Sequence, residues 1–191
     1  SDALAGSADK RTLMQRIVDT IAGALRVDAA TLYLVDEQTR RIVIQAASGY
    51  QTPLVDAGAY YEWGEGVTGR IVQKNEAIGA NSLNDLRAQV GSPRGKYDHL
   101  QGEKRPAAFF GLPLNVAGRN EPIGVLKVES LQPRPFTSED VLLIEMMGNV
   151  IAAVVYNSQI AWPRLCGIPG HLRPLSSPPP GDAKTFVRTI A

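Results

Sequence analysis

The hydrophobic positions at the start of the chain recur with the period of an α-helix. Leu13, Ile17, Ile21 and Leu25 are spaced four residues apart. Side chains at this spacing lie on one face of a helix and form an apolar stripe that can pack on a core. The pattern therefore predicts a helix over residues 9–25.

Beyond this helix the pattern changes to short apolar runs rich in β-branched and aromatic residues, which favour strands. The predicted strands cover residues 31–35, 41–48, 78–80, 107–114 and 122–130. Polar turn residues at 36–40 and 117–120 separate consecutive strands. Because connections this short join antiparallel strands, we predict an antiparallel sheet.

Two further helices are predicted. A short helix covers residues 67–75, and a long helix runs from a capping sequence at 137–140 to about residue 160. Residues 82–105 are polar and rich in glycine, so we expect a mobile loop with at most one helical turn. Helices at both ends of an antiparallel sheet predict an α+β fold.

The composition of the chain limits the kinds of function that it can have. The 20 Lys and Arg against 19 Asp and Glu give a net charge of +1, which argues against a protein that binds nucleic acid through overall charge. No apolar run approaches the ~18 residues of a membrane span. The single cysteine, Cys166, excludes a disulfide within the chain and a zinc site built from cysteines. We expect a cytoplasmic protein that binds neither nucleic acid nor membrane.

The last 30 residues differ from the rest. Six of the 13 prolines lie in residues 162–191, together with four basic residues and one acidic residue. This segment has no hydrophobic periodicity, which is typical of a linker or tail. We therefore predict one domain over residues 1–161, followed by a Pro-rich basic tail or linker over residues 162–191.

Three local sequences, in this order and spacing, resemble the GAF domain. They are GEGVTGRIV at 64–72, FGLPL at 110–114, and IGVLKVES followed by PFTSEDVLLIEMMGNVIAAVV within 123–155. The resemblance covers roughly residues 10–160. It implies a PAS-related, six-stranded antiparallel sheet with the N- and C-terminal helices on one face. It also implies a ligand pocket on the other face and a sensory role in a signalling protein.

Strand alternation selects candidates for the pocket face. In an alternating strand, Tyr33 lies on the opposite face from Leu32 and Leu34. In the same way, Lys127 and Glu129 lie on the opposite face from their apolar neighbours. A face that mixes apolar and polar side chains is typical of a binding site. The alternative, in which Lys127 and Glu129 lie on a solvated sheet face, stays open. The resemblance adds candidates from the loops, the short helix and a later strand, namely Tyr60, Trp63, Ile71, Asp85, His99 and Phe110.

The sequence argues against several cofactors, and the cofactor stays unknown. Gly64–Gly69 matches G-x-G-x-x-G, but the preceding residues are a poor buried strand and the following helix is short, so we reject dinucleotide binding. Family members that attach a bilin, and those that reduce sulfoxides, use cysteines within the domain, whereas residues 1–161 contain none. The cyclic-nucleotide pattern of the family is also missing. Haem binding through His99 stays open as an alternative.

Catalytic chemistry has little support in the sequence. We find no nucleophile beside a histidine in a recognisable motif, no cluster with metal-ligand spacing and no P-loop, so we predict no catalytic residue and no metal site. The expected function is a sensor that binds an unidentified small molecule and signals to an effector domain or partner. A structural dimerisation module without a ligand is the alternative.

The last predicted helix carries more apolar surface than one core face requires. Leu142, Met146, Val150 and Val154 continue a stripe that lies beside a second one containing Ile144 and Val155. A helix that is apolar on most sides is buried on most sides. We therefore expect a homodimer through the terminal helices. The alternative, in which the tail folds back and covers this surface through Trp162, Leu165 and Ile168, stays open.

Overall fold

A computed structural model of the chain describes residues 2–90, 96–102 and 104–165. The predicted tail boundary at residue 162 falls inside the last helix, which ends at Leu165, and the rest of the predicted tail lies outside the described residues. The helices are α1 (Asp2–Leu25), α2 (Pro53–Asp56), α3 (Gly66–Lys74), α4 (Leu83–Val90) and α5 (Ser138–Leu165), with a 3-10 turn at Asp98–Leu100. The strands are β1 (Ala29–Val35), β2 (Ile42–Gly49), β3 (Tyr60–Tyr61), β4 (Ile78–Ala80), β5 (Ala108–Leu114) and β6 (Gly124–Ser130).

The strands form one six-stranded antiparallel sheet in the order β3-β2-β1-β6-β5-β4. This confirms the predicted α+β fold and its antiparallel sheet. The five predicted strands are present, and the sixth is the two-residue strand β3 at the edge. A strand this short has no detectable alternation, which explains why its position was not predicted.

The expectation for residues 82–105 is wrong at its start, where α4 forms two turns. The Ser82 side chain accepts the Asp85 backbone N–H at 3.2 Å and caps this helix. Leu86 is buried against the core and anchors the helix. A single apolar anchor in eight residues is too weak a periodic signal to predict a helix from sequence.

The sheet separates two apolar clusters. The first lies under the terminal helices, where Leu32 and Leu126 contact a layer containing Ile21, Ile144 and Ile151. The second lies on the opposite face, which α2, α3, α4 and the 3-10 turn cover. The predicted division of β1 and β6 into two faces is confirmed, because Tyr33 and Val125 belong to the second cluster.

A bulge in β2 keeps the second face continuous. The pairing with β1 runs from Leu32↔Ala46 to Tyr33↔Ile44, which skips Gln45. Such an extra residue shifts the alternation by one. Ile44 and Ala47 therefore both face the second cluster although they are three positions apart.

The start of α5 is tied to the end of α1. Thr137 and Asp140 form a reciprocal cap, in which each side chain accepts the backbone N–H of the other residue. Arg134 pairs with Asp140 at 2.7 Å and donates to the Leu25 carbonyl at 2.9 Å. These contacts join the two terminal helices at one end. Among the described residues, no helix is long and apolar enough to cross a membrane.

Candidate functional site

A buried ion pair lies at the centre of the sheet face opposite the terminal helices. Lys127 Nζ is 2.9 Å from Glu129 Oε1, and the two side chains are 6% and 5% exposed. Their positions on the central strand β6 put both residues on the same face of the sheet. The alternative of a solvated sheet face is therefore wrong, because helices and loops cover this face.

Two neighbouring residues complete the hydrogen bonding of Glu129. Tyr50 donates its hydroxyl to Oε2, and Gln51 donates its amide to the same oxygen at 2.6 Å. Both donors follow directly after β2 and are buried. The carboxylate thus accepts from an ammonium, a phenol and an amide, which compensates its burial.

Two hydroxyls beside this pair have no hydrogen-bond partner. Thr31 Oγ1 and Tyr33 Oη are buried without a partner in the described structure. Thr31 lies directly opposite Lys127 in the β1–β6 register. The Lys127 ammonium is 5.5 Å from the centre of the Tyr33 ring. We call the following residues the buried polar cluster: Thr31, Tyr33, Tyr50, Gln51, Lys127 and Glu129.

The charges of the cluster shift its proton affinities. Burial by itself lowers the pKa of Lys127, but the Glu129 carboxylate and the Tyr33 and Tyr61 phenols outweigh it, so the pKa lies well above its usual range. Burial raises the pKa of Tyr33. Burial and the adjacent Glu129 charge raise the pKa of Tyr50. The cluster therefore holds a charged lysine and protonated phenols at neutral pH.

A row of tyrosine rings leads from the cluster to the segment over this face. Tyr33 and Tyr61 meet edge to face with centroids 5.8 Å apart, and Tyr61 and Tyr97 do so at 5.7 Å. Tyr97 also holds the backbone of Tyr60: its hydroxyl accepts the Tyr60 N–H at 3.0 Å and donates to the Tyr60 carbonyl at 3.1 Å. The segment 96–101 is thus fastened to the edge strand β3.

The outer end of this row carries stacked cations. Arg41 and Lys96 lie over the Tyr60 ring at 4.2 Å and 3.8 Å. Arg40 lies 4.2 Å over the Trp63 ring, whose buried indole N–H has no hydrogen-bond partner among the described residues. Two predicted site residues, Tyr60 and Trp63, therefore lie at the rim of this face and contact cations rather than the buried polar cluster.

α3 contacts the centre of the sheet through Ile71. This residue is fully buried in the second cluster. A Cβ atom on Gly111 of β5 would lie 2.7 Å from Ile71 Cδ1, so a side chain at position 111 would require Ile71 to shift. The structure thus places Ile71 at the predicted face.

The strand before α3 is the two-residue strand β3. It is not the long buried strand that a dinucleotide fold requires before the glycine-rich turn.

Three predicted site residues lie elsewhere. Phe110 points to the face of the terminal helices and packs against Phe136, so its predicted placement is wrong. Asp85 is exposed in the first turn of α4, and His99 is exposed in the 3-10 turn. An exposed loop position does not favour His99 as a haem ligand.

Several residues at this face, including Tyr61 of β3, were not predicted. Phe109, not its neighbour Phe110, belongs to the second cluster, because the register pairs it with Glu129. Tyr50, Gln51 and Tyr97 come from loops, where no periodicity assigns a direction. In the described part of the chain, no group of His, Cys, Asp and Glu residues is arranged to hold a metal ion.

Comparisons with known proteins agree with this architecture. A family model described as GAF domain matches residues 7–155. The nitrogen fixation protein AnfA of Azotobacter vinelandii is 26% identical over 156 residues, which are 81% of this chain and 28% of that protein. The chain therefore spans less than a third of the length of this relative.

Two solved structures show the same fold. The GAF domain of a phosphoenolpyruvate-protein phosphotransferase from Coxiella burnetii has a TM-score of 0.68 at 22% identity, over 80% of this chain and 85% of that one. A type II free methionine-R-sulfoxide reductase from Thermoplasma acidophilum has a TM-score of 0.61 at 17% identity, over 79% and 95%.

Proposed function

The chain belongs to the GAF domain family, and on this premise we propose that it binds a small molecule and relays the binding through its terminal helices. GAF domains are sensory and regulatory modules of signalling proteins, where they occur with effector domains. The output would come from such an effector domain or from a partner protein. That the protein is cytoplasmic remains a prediction.

The buried polar cluster is the observation that carries the proposal. A structural core gains little from a buried ion pair, since well-packed apolar residues in its place are often neutral or stabilising. Here the Lys127–Glu129 pair lies beside two hydroxyls of the neighbouring strand β1 that have no partner among the described residues. Polar groups placed among apolar walls are typical of a binding site.

The central strands provide a short route from the cluster to the helices. On β6, Lys127 faces the cluster while Leu126 and Val128 face α1 and α5. A ligand that shifts β6 or β1 would therefore change the packing under the terminal helices. The shift requires a ligand that binds one helix arrangement more tightly than the other.

A homodimer through α5 is part of the proposal. Leu142, Met146 and Val150 are 57%, 58% and 56% exposed although they are large and apolar, and Val154 extends the stripe. A continuous apolar stripe of this kind marks an interaction surface. A second copy presents the same stripe, so two α5 helices can pair symmetrically.

We infer no catalytic role. The fold likeness to a methionine sulfoxide reductase is at 17% identity and carries no activity to this chain. Sulfoxide-reducing members, by the family resemblance, rely on cysteines in the domain, and residues 1–161 contain none.

The test is a search for a ligand with a matched variant. Native and denaturing mass spectra of the purified full chain, followed by thermal melting across a metabolite panel, should reveal a bound or stabilising small molecule. The stabilisation should disappear in a Lys127→Met, Glu129→Met double variant that remains folded. A stable dimer with no bound mass and no melting shift would support the structural dimerisation module instead.

A further inference from the structure

We propose that the ligand of this domain offers an uncharged acceptor oxygen, such as a carbonyl or amide oxygen, to Thr31, Tyr33 and Lys127. The inference rests on the proposed function, because it assigns a ligand class to the same sheet face. It follows from which hydrogen-bonding groups of the buried polar cluster are occupied and which are not.

The unpartnered groups of the cluster are hydroxyls. Thr31 and Tyr33 are 0% exposed, and their oxygens have no hydrogen-bond partner in the described structure. Lys127 and Tyr61 are the polar neighbours of the Tyr33 hydroxyl. Buried hydroxyls without partners are rare because each one forfeits its hydrogen bonds to water. Thr31 and Tyr33 lie two positions apart on β1 and therefore on the same face of the sheet. Two such hydroxyls side by side indicate that a hydrogen-bond partner is missing.

The charged acceptor of the cluster, the Glu129 carboxylate, is already occupied on both oxygens. Glu129 Oε1 is paired with Lys127, and Oε2 accepts from Tyr50 and Gln51. Lys127 carries three N–H donors, one of which is needed for Glu129. Lys127 therefore keeps N–H groups that can only donate, and the Thr31 and Tyr33 hydroxyls can donate beside them, so one acceptor oxygen of the ligand could serve all three residues.

The charge of the cluster selects an uncharged ligand group. Lys127 and Glu129 neutralise one another, so an added carboxylate would leave one uncompensated negative charge on a covered face. A cationic group would add an uncompensated positive charge beside the Lys127 ammonium. A carbonyl or amide oxygen satisfies the donors without adding charge.

The ligand would reach these donors past segment 96–101. Tyr97 contacts Tyr61, which contacts Tyr33. At the other end of the segment, Gln101 donates to Gln51 at 3.4 Å, and Gln51 donates to Glu129. Gln101 contacts the cluster directly and Tyr97 reaches it through Tyr61, so displacement of the segment would uncover the donors.

An NMR titration of the isotope-labelled full chain with three small probes tests the ligand class. The probes are acetamide, acetate and methylammonium, which share size but differ in charge and in acceptor oxygen. We expect acetamide to produce saturable shifts at the signals of Thr31, Tyr33 and Lys127. Acetate should require at least a tenfold higher concentration, and methylammonium should give no shift there.

Variants that delete one hydroxyl each sharpen the test. Tyr33→Phe and Thr31→Val should weaken the acetamide response at least tenfold. Both should melt at the same temperature as the parent or higher, because they remove a hydroxyl that has no partner. Tyr156→Phe deletes a hydroxyl on α5, near the other cluster, and should leave the response unchanged.

The outcomes separate the ligand class from the sensory function. A response to acetate as strong as that to acetamide, no response to acetamide, or unchanged binding in Tyr33→Phe and Thr31→Val overturns the ligand class. If a metabolite still binds under those outcomes, the sensory function stands without it. If no small molecule binds at all, the proposed function fails as well.

Discussion

Lys127 and Glu129 show how a charge pair is accommodated at the centre of a sheet. Each ion alone would be expensive to bury, but the pair and its two additional donors satisfy the carboxylate. The arrangement depends on all members, because the loss of one partner leaves the other charge buried and unpaired. This dependence can be measured.

We expect Glu129→Gln to lower the free energy of unfolding by about 3–5 kcal/mol, because it leaves the Lys127 ammonium uncompensated. The Lys127→Met, Glu129→Met double variant should lose much less, since it buries no charge. Urea unfolding of the parent, of Lys127→Met, of Glu129→Met and of the double variant gives the coupling energy. A loss below about 1 kcal/mol in Glu129→Gln would show that the pair is hydrated rather than buried.

At the scale of elements, the edge strand β3 depends on a loop for its outer hydrogen bonds. Edge strands expose unpaired N–H and C=O groups. Tyr97 satisfies both backbone groups of Tyr60 with one hydroxyl. Lys96 adds a contact to the Tyr60 ring and an ion pair with Glu65 at 3.7 Å. Segment 96–101 therefore protects the edge of the sheet while it covers the cluster.

Tyr97→Phe should release this segment without changing the ring packing. The two lost hydrogen bonds are worth about 1 kcal/mol each, which corresponds to a rise of roughly tenfold or more in the exchange rate of the Tyr60 amide. The Ile44 amide, which bonds to the Ala59 carbonyl at 3.0 Å in the same part of the sheet, should exchange at an unchanged rate. Equal exchange of the Tyr60 amide in both proteins would mean that Tyr97 does not hold the segment.

At the scale of the whole molecule, the two faces of α5 have different roles. The face with Ile144, Ile151 and Val155 packs on the sheet, while the stripe with Met146 and Val150 is exposed. A dimer that buries the exposed stripe would place the two sheets on either side of a central helical layer. Ligand-dependent changes under α5 would then reach both copies.

Val150→Glu should convert the dimer into a monomer, because it puts a charge at the centre of the apolar stripe. Sedimentation velocity of the parent chain should give twice the 20.6 kDa mass of one chain. Gln38→Glu adds the same charge in the exposed β1–β2 turn and should remain a dimer. A monomeric parent at about 100 μM, or a dimeric Val150→Glu variant, would contradict the proposed dimer.

Periodicity predicted the terminal helices, α3, five of the six strands and the two faces of β1 and β6. The alternation in β1 and β6 separated Tyr33, Lys127 and Glu129 from the leucines and valines that pack under the helices, and the structure confirms this separation. In β5 the same reasoning could not work, because AFFGL is apolar at every position. The register with β6 decides that Phe109 faces the cluster and Phe110 faces the helices.

The sequence by itself determined the fold class, the antiparallel pairing and the charged residues on one sheet face, because these follow from local periods and short turns. Only the tertiary structure decided what Lys127 and Glu129 contact. Tyr50 and Gln51 bond to Glu129 across 79 and 78 positions in sequence. Such partners are brought together by the closing of the sheet and its loops, and no local pattern in the chain encodes the direction of a loop side chain.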